Sequence, residues 1–325
     1  MIELIIEHNG TIYQPVLKGS IELKSVRKGE PSTLTFTLLR DDVIEYEEGD
    51  PVRVKVDGQN AFYGFIFKIT GNKTAERQIT AYDQLRYLKN KYTYVLEDKR
   101  ADEIVKMICD DYGLQAGTLE NTEYLYNNIE DNVALFDIIL NALDDTTRNT
   151  SKMFVLYDDM GKLCLKDIES RKLDILLDEE TGENFSYSSS IDGETYNSIV
   201  LYRESNSSSD ANAINNRKFV YVDDPKNIEK WGVLQYFGSF GEDEDGKTKA
   251  ASLLELYNQK SKSLTLENQL GDIRVMGGTL VPVRLDLGDA KLSNYMMVEE
   301  VTHTISENHH TMNLKLKGGE FNEWH

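Results

Sequence analysis

Residues 51–58 read Pro-Val-Arg-Val-Lys-Val-Asp-Gly, and they set the pattern from which the fold can be inferred. The three valines alternate with charged residues or proline, as in a strand with one buried face, and Asp57-Gly58 is a hairpin turn signal. After this turn, Phe65, Phe67 and Ile69 continue the alternation. The stretch therefore predicts an antiparallel β-hairpin.

The rest of the first 95 residues has the same character. Ile21 and Leu23 begin one alternating segment, and others cover residues 34–38 and 79–82. Several short strands separated by closely spaced turns are typical of a small antiparallel barrel or sandwich. We therefore predict one such β domain over residues 1–95.

The pattern changes after residue 95 to a helical period. A first helix is predicted with Asp98 as its cap and Gly113 as its stop, and a second helix is predicted to begin near residue 131. Two alternating segments then flank a turn at 158–161, which predicts a hairpin. Together these elements predict an α+β insert over residues 96–180.

Residues 181–325 return to strands, interrupted by a predicted polar loop at 203–217 and a predicted helix at 247–262. Within them, the segment 281–302 repeats the order of features found at 52–70: strand, turn, aromatic residue, strand. Antiparallel hairpins resemble one another, so the pattern alone leaves a true structural repeat open.

The charge balance is strongly acidic, with 36 lysines and arginines against 56 aspartates and glutamates. Nucleic-acid binding and anionic membrane binding both need basic surfaces, so we expect no stable binding to either. The N-terminus has neither a basic start nor a long apolar run, which predicts a protein made in the cytoplasm. Cys109 and Cys164 lie in apolar patterns and are predicted to be buried.

One segment, Gly241–Thr248, matches the phosphate-loop pattern GxxxxGK[ST]. All four variable positions are carboxylates, which would repel the phosphates of a nucleotide. The segment therefore predicts an acidic exposed loop before a helix, and no cofactor site.

No metal or catalytic site is predicted. His303 and the pair His309–His310 flank a predicted turn without any metal-ligand spacing, so they are interpreted as solvent-facing turn residues. The acidic groups at 45–50 and 178–183 are interpreted as solvated faces, because a glycosidase pair needs an aromatic groove and a carboxyl with a raised pKa.

Tyrosine occurs 18 times and is concentrated between residues 82 and 94. Tyrosine is common at protein interfaces because it combines a large apolar ring with a polar tip. A strand face followed by a turn explains the same run, and the two interpretations are compatible.

Residues 81–94 (AYDQLRYLKNKYTY) resemble a signature of the baseplate hub proteins of contractile tails, as found in phages, defective prophages and tailocins of Gram-positive bacteria. These proteins are related to late control protein D and the trimeric tail hub. Weaker matches to the same family occur, in the order in which the family has them, at 49–64, 196–200, 228–232 and 301–316. The tentative signature and interface positions are Tyr82, Asp83, Leu85, Tyr87, Leu88, Tyr92 and Tyr94.

The resemblance implies a β-rich α+β fold with two tube-like antiparallel β-barrel domains, at 1–95 and 181–325, an α+β insert at 96–180 and a further helical segment. It implies a homotrimer whose six barrels form a pseudo-hexameric ring between the hexameric tail tube and the trimeric spike. Other baseplate proteins and the tape measure are further implied partners, and DNA would pass through an acidic lumen without stable binding.

The resemblance carries no catalytic residue across, so the sequence predicts a structural protein of the phage tail or tail-like particle rather than an enzyme. Two alternatives stay open at this point. One is a tail-associated cell-wall hydrolase, and the other is a monomeric carbohydrate-binding β module.

Overall fold

Strands dominate the computed structural model, which describes residues 1–318 apart from 40, 42, 72, 74–75, 204–216, 242–243 and 287–290. Most neighbouring strands run antiparallel, and the helices are few. The predicted β-rich α+β fold is therefore confirmed. Most of the predicted polar loop at 203–217 lies outside the described residues.

The first seven strands form a barrel around one apolar core. Every strand from the first to the seventh except the second contributes buried side chains to this core, and no helical residue belongs to it. A sheet without a covering layer can bury one face only by curving around its own side chains, which is the geometry of a barrel. The strands are β1 (Ile2–His8), β2 (Thr11–Tyr13), β3 (Ile21–Val26), β4 (Thr33–Leu39), β5 (Pro51–Val56), β6 (Gln59–Gly71) and β7 (Glu76–Tyr82).

An α/β unit with its own apolar core follows the first barrel. The hairpin predicted around residues 158–161 is confirmed, and Gly113 ends the first helix with a φ of 65°. The elements are a 3-10 helix (Gln84–Lys89), β8 (Lys91–Lys99), α1 (Ala101–Tyr112), β9 (Ala116–Leu119), β10 (Tyr126–Ala134), α2 (Leu135–Thr150), β11 (Phe154–Asp158), β12 (Leu163–Asp167) and a second 3-10 helix (Ile168–Arg171).

Two predicted helix starts in this unit are wrong. Asp98 does not cap α1: it lies in β8 with a φ of 49°, its backbone N–H donates to Asn127 Oδ1 (2.7 Å), and Arg100 is the cap residue. The second helix begins at Leu135 instead of near residue 131, because Val133 still pairs with β8. In both places, strand pairing between distant segments overrides the local helix signal.

The last part of the chain contains the second barrel and a smaller sheet. The core of the second barrel comes mainly from Leu177, from the strand at 261–270 and from the three strands that follow it. No helical residue belongs to this core. The elements are β13 (Leu177–Asp178), β14 (Asn184–Ser190), β15 (Ser198–Arg203), β16 (Lys218–Asp223), α3 (Pro225–Trp231), β17 (Gln235–Ser239), α4 (Gly246–Tyr257), β18 (Ser261–Leu270), β19 (Leu280–Asp286), β20 (Lys291–Ile305) and β21 (His310–Gly318).

The helix predicted at 247–262 is shorter than expected, because β18 begins at residue 261 and pairs with β14 and β21. It packs on the three-stranded sheet of β16, β15 and β17. Helix α3 was not predicted, although Asp224 at its cap and Pro225 at its first position are ordinary start signals.

Strand β20 joins the two barrels into one continuous sheet. Its first half pairs with β19, its second half pairs with β3 of the first barrel, and β21 lies along its other side. A bulge between Val298 and Glu300 shifts the alternation, so that Val298 and Val301 both point inward. Arg27 forms two hydrogen bonds of 2.9 Å with the carboxylate of Glu299 across this seam.

Candidate assembly surfaces

The signature at 81–94 forms the connection between the first barrel and the α/β unit. Asp83 follows β7 and caps the first 3-10 helix: its carboxylate accepts hydrogen bonds from the backbone N–H of Leu85 (3.0 Å) and of Ser32 (2.9 Å). Leu85 and Leu88 on that helix are buried in the core of the α/β unit. These three signature positions therefore attach one folding unit to the other.

Asp83 lies close to a second carboxyl group, that of Asp158 at the end of β11. The Asp158 carboxylate accepts from Gly161 N (2.7 Å), and Gln84 Nε2 donates to Gly161 O (2.5 Å), which docks the hairpin turn onto the connection. Burial raises the pKa of both carboxyl groups, and the charge of Asp158 raises the pKa of Asp83 further. The pair therefore keeps a proton to a higher pH than free carboxyl groups do.

This retained proton predicts a pH dependence of stability. Unfolded carboxyls ionise near pH 4, whereas the folded pair holds its proton, so the free energy of unfolding falls as the pH rises above about 4. Asp158→Asn removes one charge and is expected to gain at least about 1 kcal/mol over the parent at pH 9, measured by urea unfolding. Asp159→Asn, at the exposed neighbour, is the control, and an equal gain there would contradict the prediction.

Two tyrosines of the signature pack on the outer face of the first barrel. The Tyr82 ring lies 5.4 Å from that of Phe67, and the Tyr87 ring lies 6.2 Å from that of Phe65. The Arg86 guanidinium lies 5.3 Å from the centre of the Phe67 ring. This half-buried cluster covers the barrel where the connection leaves it.

The last two tyrosines lie on the ribbon that β8 and β10 form. The Tyr94 hydroxyl donates to the Asp111 carboxylate (2.6 Å), and its ring lies 4.8 Å from that of Tyr92. Tyr92 is 54% exposed, Val95 is 64% exposed, and Ile129, opposite Val95, is 67% exposed. Side chains alternate along β8, so Tyr92 shares the face of Tyr94, whereas Val95 and Ile129 lie on the opposite face. We call Val95 and Ile129 the ribbon patch. Of the seven signature positions, only Tyr92 is exposed.

A second exposed apolar surface was missed from the sequence. Helix α4 covers one face of the sheet of β15, β16 and β17, and the other face carries Tyr202, Phe219, Tyr221 and Phe237. The last three side chains are largely exposed. The alternation of aromatic residues in β16 is the signal that could have identified this face.

The interpretation of the histidines as solvent-facing turn residues is wrong for His303, which is completely buried. It occupies an inward position of β20, its Nε2 lies 2.8 Å from Val275 O, and its Nδ1 lies 3.0 Å from His310 Nε2. Burial lowers the pKa of His303 to about 4. The turn at 306–308 is present, and His309, which follows it, is exposed.

The segment resembling a phosphate loop leads into α4, as predicted, and its residues 246–248 form the first turn of that helix. Residues 242–243 lie outside the described part. The Asp245 carboxylate accepts from Lys247 N (3.2 Å) and from the Thr248 hydroxyl (2.6 Å), so it occupies the helix start itself. The two cysteines are buried, as predicted.

A cleft of about 560 Å³ lies between α2, β11 and the second barrel. Two of its carboxylates pair with lysines: Asp144 with Lys28 (2.6 Å) and Glu194 with Lys317 (3.4 Å). These two carboxylates are therefore ion-paired rather than arranged as a hydrolytic pair. Among the described residues, no helix is long and apolar enough to cross a membrane.

The two barrels in one sheet define a fold that phage tail proteins share. The structure is similar to that of the 43 kDa tail protein of prophage MuSo2 from Shewanella oneidensis, with a TM-score of 0.69, 13% identity, and 97% and 98% of the two chains covered. It is also similar to the Escherichia coli c3393 protein, described as a component of the type VI secretion system that resembles T4 tail proteins gp27 and gp5. The TM-score is 0.55 at 10% identity, with 99% of this chain and 79% of that one covered.

The sequence comparisons define the family. A model of the YQBQ-like family matches residues 21–317, so the chain belongs to this family. The chain is 29% identical to the phage-like element PBSX protein XkdQ of Bacillus subtilis over 97% of this chain and 96% of that protein. The resemblance to tail proteins is thereby confirmed at the level of fold and family.

Proposed function

We propose that the chain is a structural subunit of a phage tail or tail-like particle, and specifically its baseplate hub, without enzymatic activity. The continuous sheet through β20 carries this proposal, because it holds two barrels side by side in each copy. Three such copies present six barrels around a threefold axis. Such a pseudo-hexameric ring matches a hexameric tail tube on one side and a trimeric spike on the other.

The two ends of the continuous sheet support a head-to-tail ring. The strand order begins with β14 and ends with β2, so each of these strands has one edge without a partner strand in the described chain. Open edges are templates for pairing with another chain. Contact between β14 of one copy and β2 of the next joins different surfaces, and rotation by a third of a turn closes such a contact into a trimer.

The exposed apolar surfaces are available for contacts with further partners. We propose that the ribbon patch and the aromatic face of β15–β17 contact the tail tube, the spike, the tape measure or other baseplate proteins. Tyr92 is the signature residue best placed for such a contact, since it combines exposure with a large ring.

We also propose that the three domains of this subunit meet at the predicted limits, residues 95 and 180. A net charge of −20 would keep passing DNA from binding to the ring.

Cross-linking of cysteine variants tests the ring. Ile12→Cys on β2 and Phe185→Cys on β14 place thiols at the two exposed edges, whereas both native cysteines are buried. A short bis-maleimide is expected to give covalent dimers and trimers of the double variant in assembled particles. Each single variant is the control and is expected to stay monomeric. Monomers alone from the double variant, in particles that still assemble, would contradict edge-to-edge contact.

A further inference from the structure

The end of β1 faces the acidic loop at 45–50. His8 is the last residue of β1, and its Nδ1 lies 2.8 Å from Asp50 Oδ2. Both side chains are 13% exposed. One potential ligand atom each from His8, Glu47 and Asp50 lies within 4.8 Å of the other two. An imidazole and two carboxylates therefore converge on one point of the first barrel.

The sheet register holds these groups together. Ile6 pairs with Val52, so the end of β1 lies beside the residues before β5. The Asp50 carboxylate also accepts from Glu47 N (2.8 Å), and the Asp50 carbonyl accepts from Ile66 N (2.9 Å), which ties the loop to β6. Two of the three groups are thus positioned by the barrel, and only the Glu47 side chain is free to adjust.

Among the described residues, no basic side chain other than His8 pairs with the carboxylates at this point. Within the described chain, His8 is the sole basic group paired with Asp50 (2.8 Å) and with Glu45 (4.0 Å), and Glu47 has no basic partner. His8 and Asp50 are largely buried, and the exposed Glu47 completes the cluster from the solvent side. Carboxylates that converge in this way repel one another unless a cation lies between them. A small divalent cation would remove this repulsion.

We propose that His8 Nδ1, Glu47 and Asp50 bind a divalent transition-metal ion, with Zn²⁺ as the best match. One imidazole nitrogen and two carboxylate oxygens are ligands that Zn²⁺ accepts at about 2.0–2.2 Å, and tetrahedral geometry places such ligands about 3.4 Å apart. This spacing needs a movement of Glu47 of up to about 1.4 Å from the 4.8 Å limit and an opening of the His8 Nδ1–Asp50 Oδ2 distance from 2.8 Å to about 3.4 Å, and water takes the fourth position. Mg²⁺ fits less well, because it prefers octahedral oxygen ligands.

The surroundings of His8 allow the required change of tautomer. Nδ1 must be unprotonated to bind a metal, so the ring proton moves to Nε2, which then needs an acceptor. Asn9 Nδ2 lies 2.9 Å from Nε2, and rotation of this amide by 180° presents its oxygen instead. Glu45 Oε2, at 4.0 Å, is a second acceptor. The bound ion would fasten the β1–β2 hairpin to the loop before β5.

Titration of the purified, metal-free chain with Zn²⁺ alone, followed by calorimetry, tests this site. Glu47→Gln is expected to weaken the affinity at least tenfold, and His8→Gln is expected to do the same. Glu48→Gln is the matched control, because it removes an equal charge one residue outside the cluster. Equal affinities of the Glu47→Gln and Glu48→Gln variants, or no saturable binding by the parent, would overturn the proposal.

Co²⁺ provides a second measurement that does not depend on how well the variants fold. The parent is expected to bind one Co²⁺ per chain with an absorption band of tetrahedral nitrogen and oxygen ligation. The band is expected to disappear when Zn²⁺ displaces the Co²⁺. A spectrum of octahedral, fully hydrated Co²⁺ at saturating concentration would contradict the assignment.

Discussion

Replacement of Leu88 by alanine is expected to lower the free energy of unfolding by about 2–5 kcal/mol. Leu88 is completely buried among the side chains that join the 3-10 helix to α2 and the rest of the α/β unit. Truncation removes its transfer free energy and leaves a cavity, because the connection is held on both sides by Asp83 and by the 158–161 turn. Urea unfolding measures the loss directly.

Tyr92→Ala is the matched comparison within the same signature. Tyr92 is more than half exposed, so its truncation is expected to change the free energy of unfolding by less than about 0.5 kcal/mol. If the exposed Tyr92 ring contacts a tail partner, this variant is expected to reduce incorporation into particles while the isolated chain stays folded. A stability loss as large as that of Leu88→Ala would show that Tyr92 has a role in the fold instead.

Acidification is expected to weaken the seam between the two barrels. Burial lowers the pKa of His303 to about 4, whereas an unfolded histidine has a pKa near 6.5. The unfolded chain therefore binds a proton that the folded chain excludes, and stability falls as the pH drops from about 6.5 to 4. The difference in pKa corresponds to about 3 kcal/mol, with His310 adding to the same trend because burial lowers its pKa too.

Urea unfolding at pH 7 and at pH 4.5 measures this effect. His303→Gln keeps an N–H donor for Val275 O and is expected to lose most of the acid-dependent decrease. His309→Gln, at the exposed neighbour of His310, is the control and is expected to behave like the parent. Equal pH slopes for the parent and His303→Gln would contradict the assignment. The Asp83–Asp158 pair acts in the opposite direction, which is why each site is compared with its own variant.

The local sequence pattern correctly predicted the elements that depend on residues close to one another in the chain. The alternating valines of β5, the turn at Asp57-Gly58 and the helix stop at Gly113 all lie where the pattern predicted them. Each is decided by interactions between residues close in sequence, because side-chain period, turn geometry and helix ends depend on a few neighbouring φ and ψ angles.

The sequence-based predictions were wrong where the structure of a segment depends on pairing with a distant strand. The β8–β10 ribbon takes Asp98 out of its predicted capping position and Val133 out of its predicted helix, because backbone pairing between segments 27 to 43 residues apart satisfies more hydrogen bonds than a local turn. His303 resembles a turn residue by its position, yet the bulge in β20 brings it into the interior. The cluster of His8 with the 45–50 loop depends on the same kind of long-range register.

The sequence by itself therefore determined a β-rich α+β chain and predicted an α+β insert, and the signature at 81–94 pointed to tail proteins. Only the tertiary structure decided that Leu85 and Leu88 of this signature lie in a core while Tyr92 stays exposed. Only the tertiary structure joined the two barrels through β20. The physical reason is that alternation specifies which face of a strand is buried, whereas the partner strand is chosen by packing and hydrogen bonding over the whole chain.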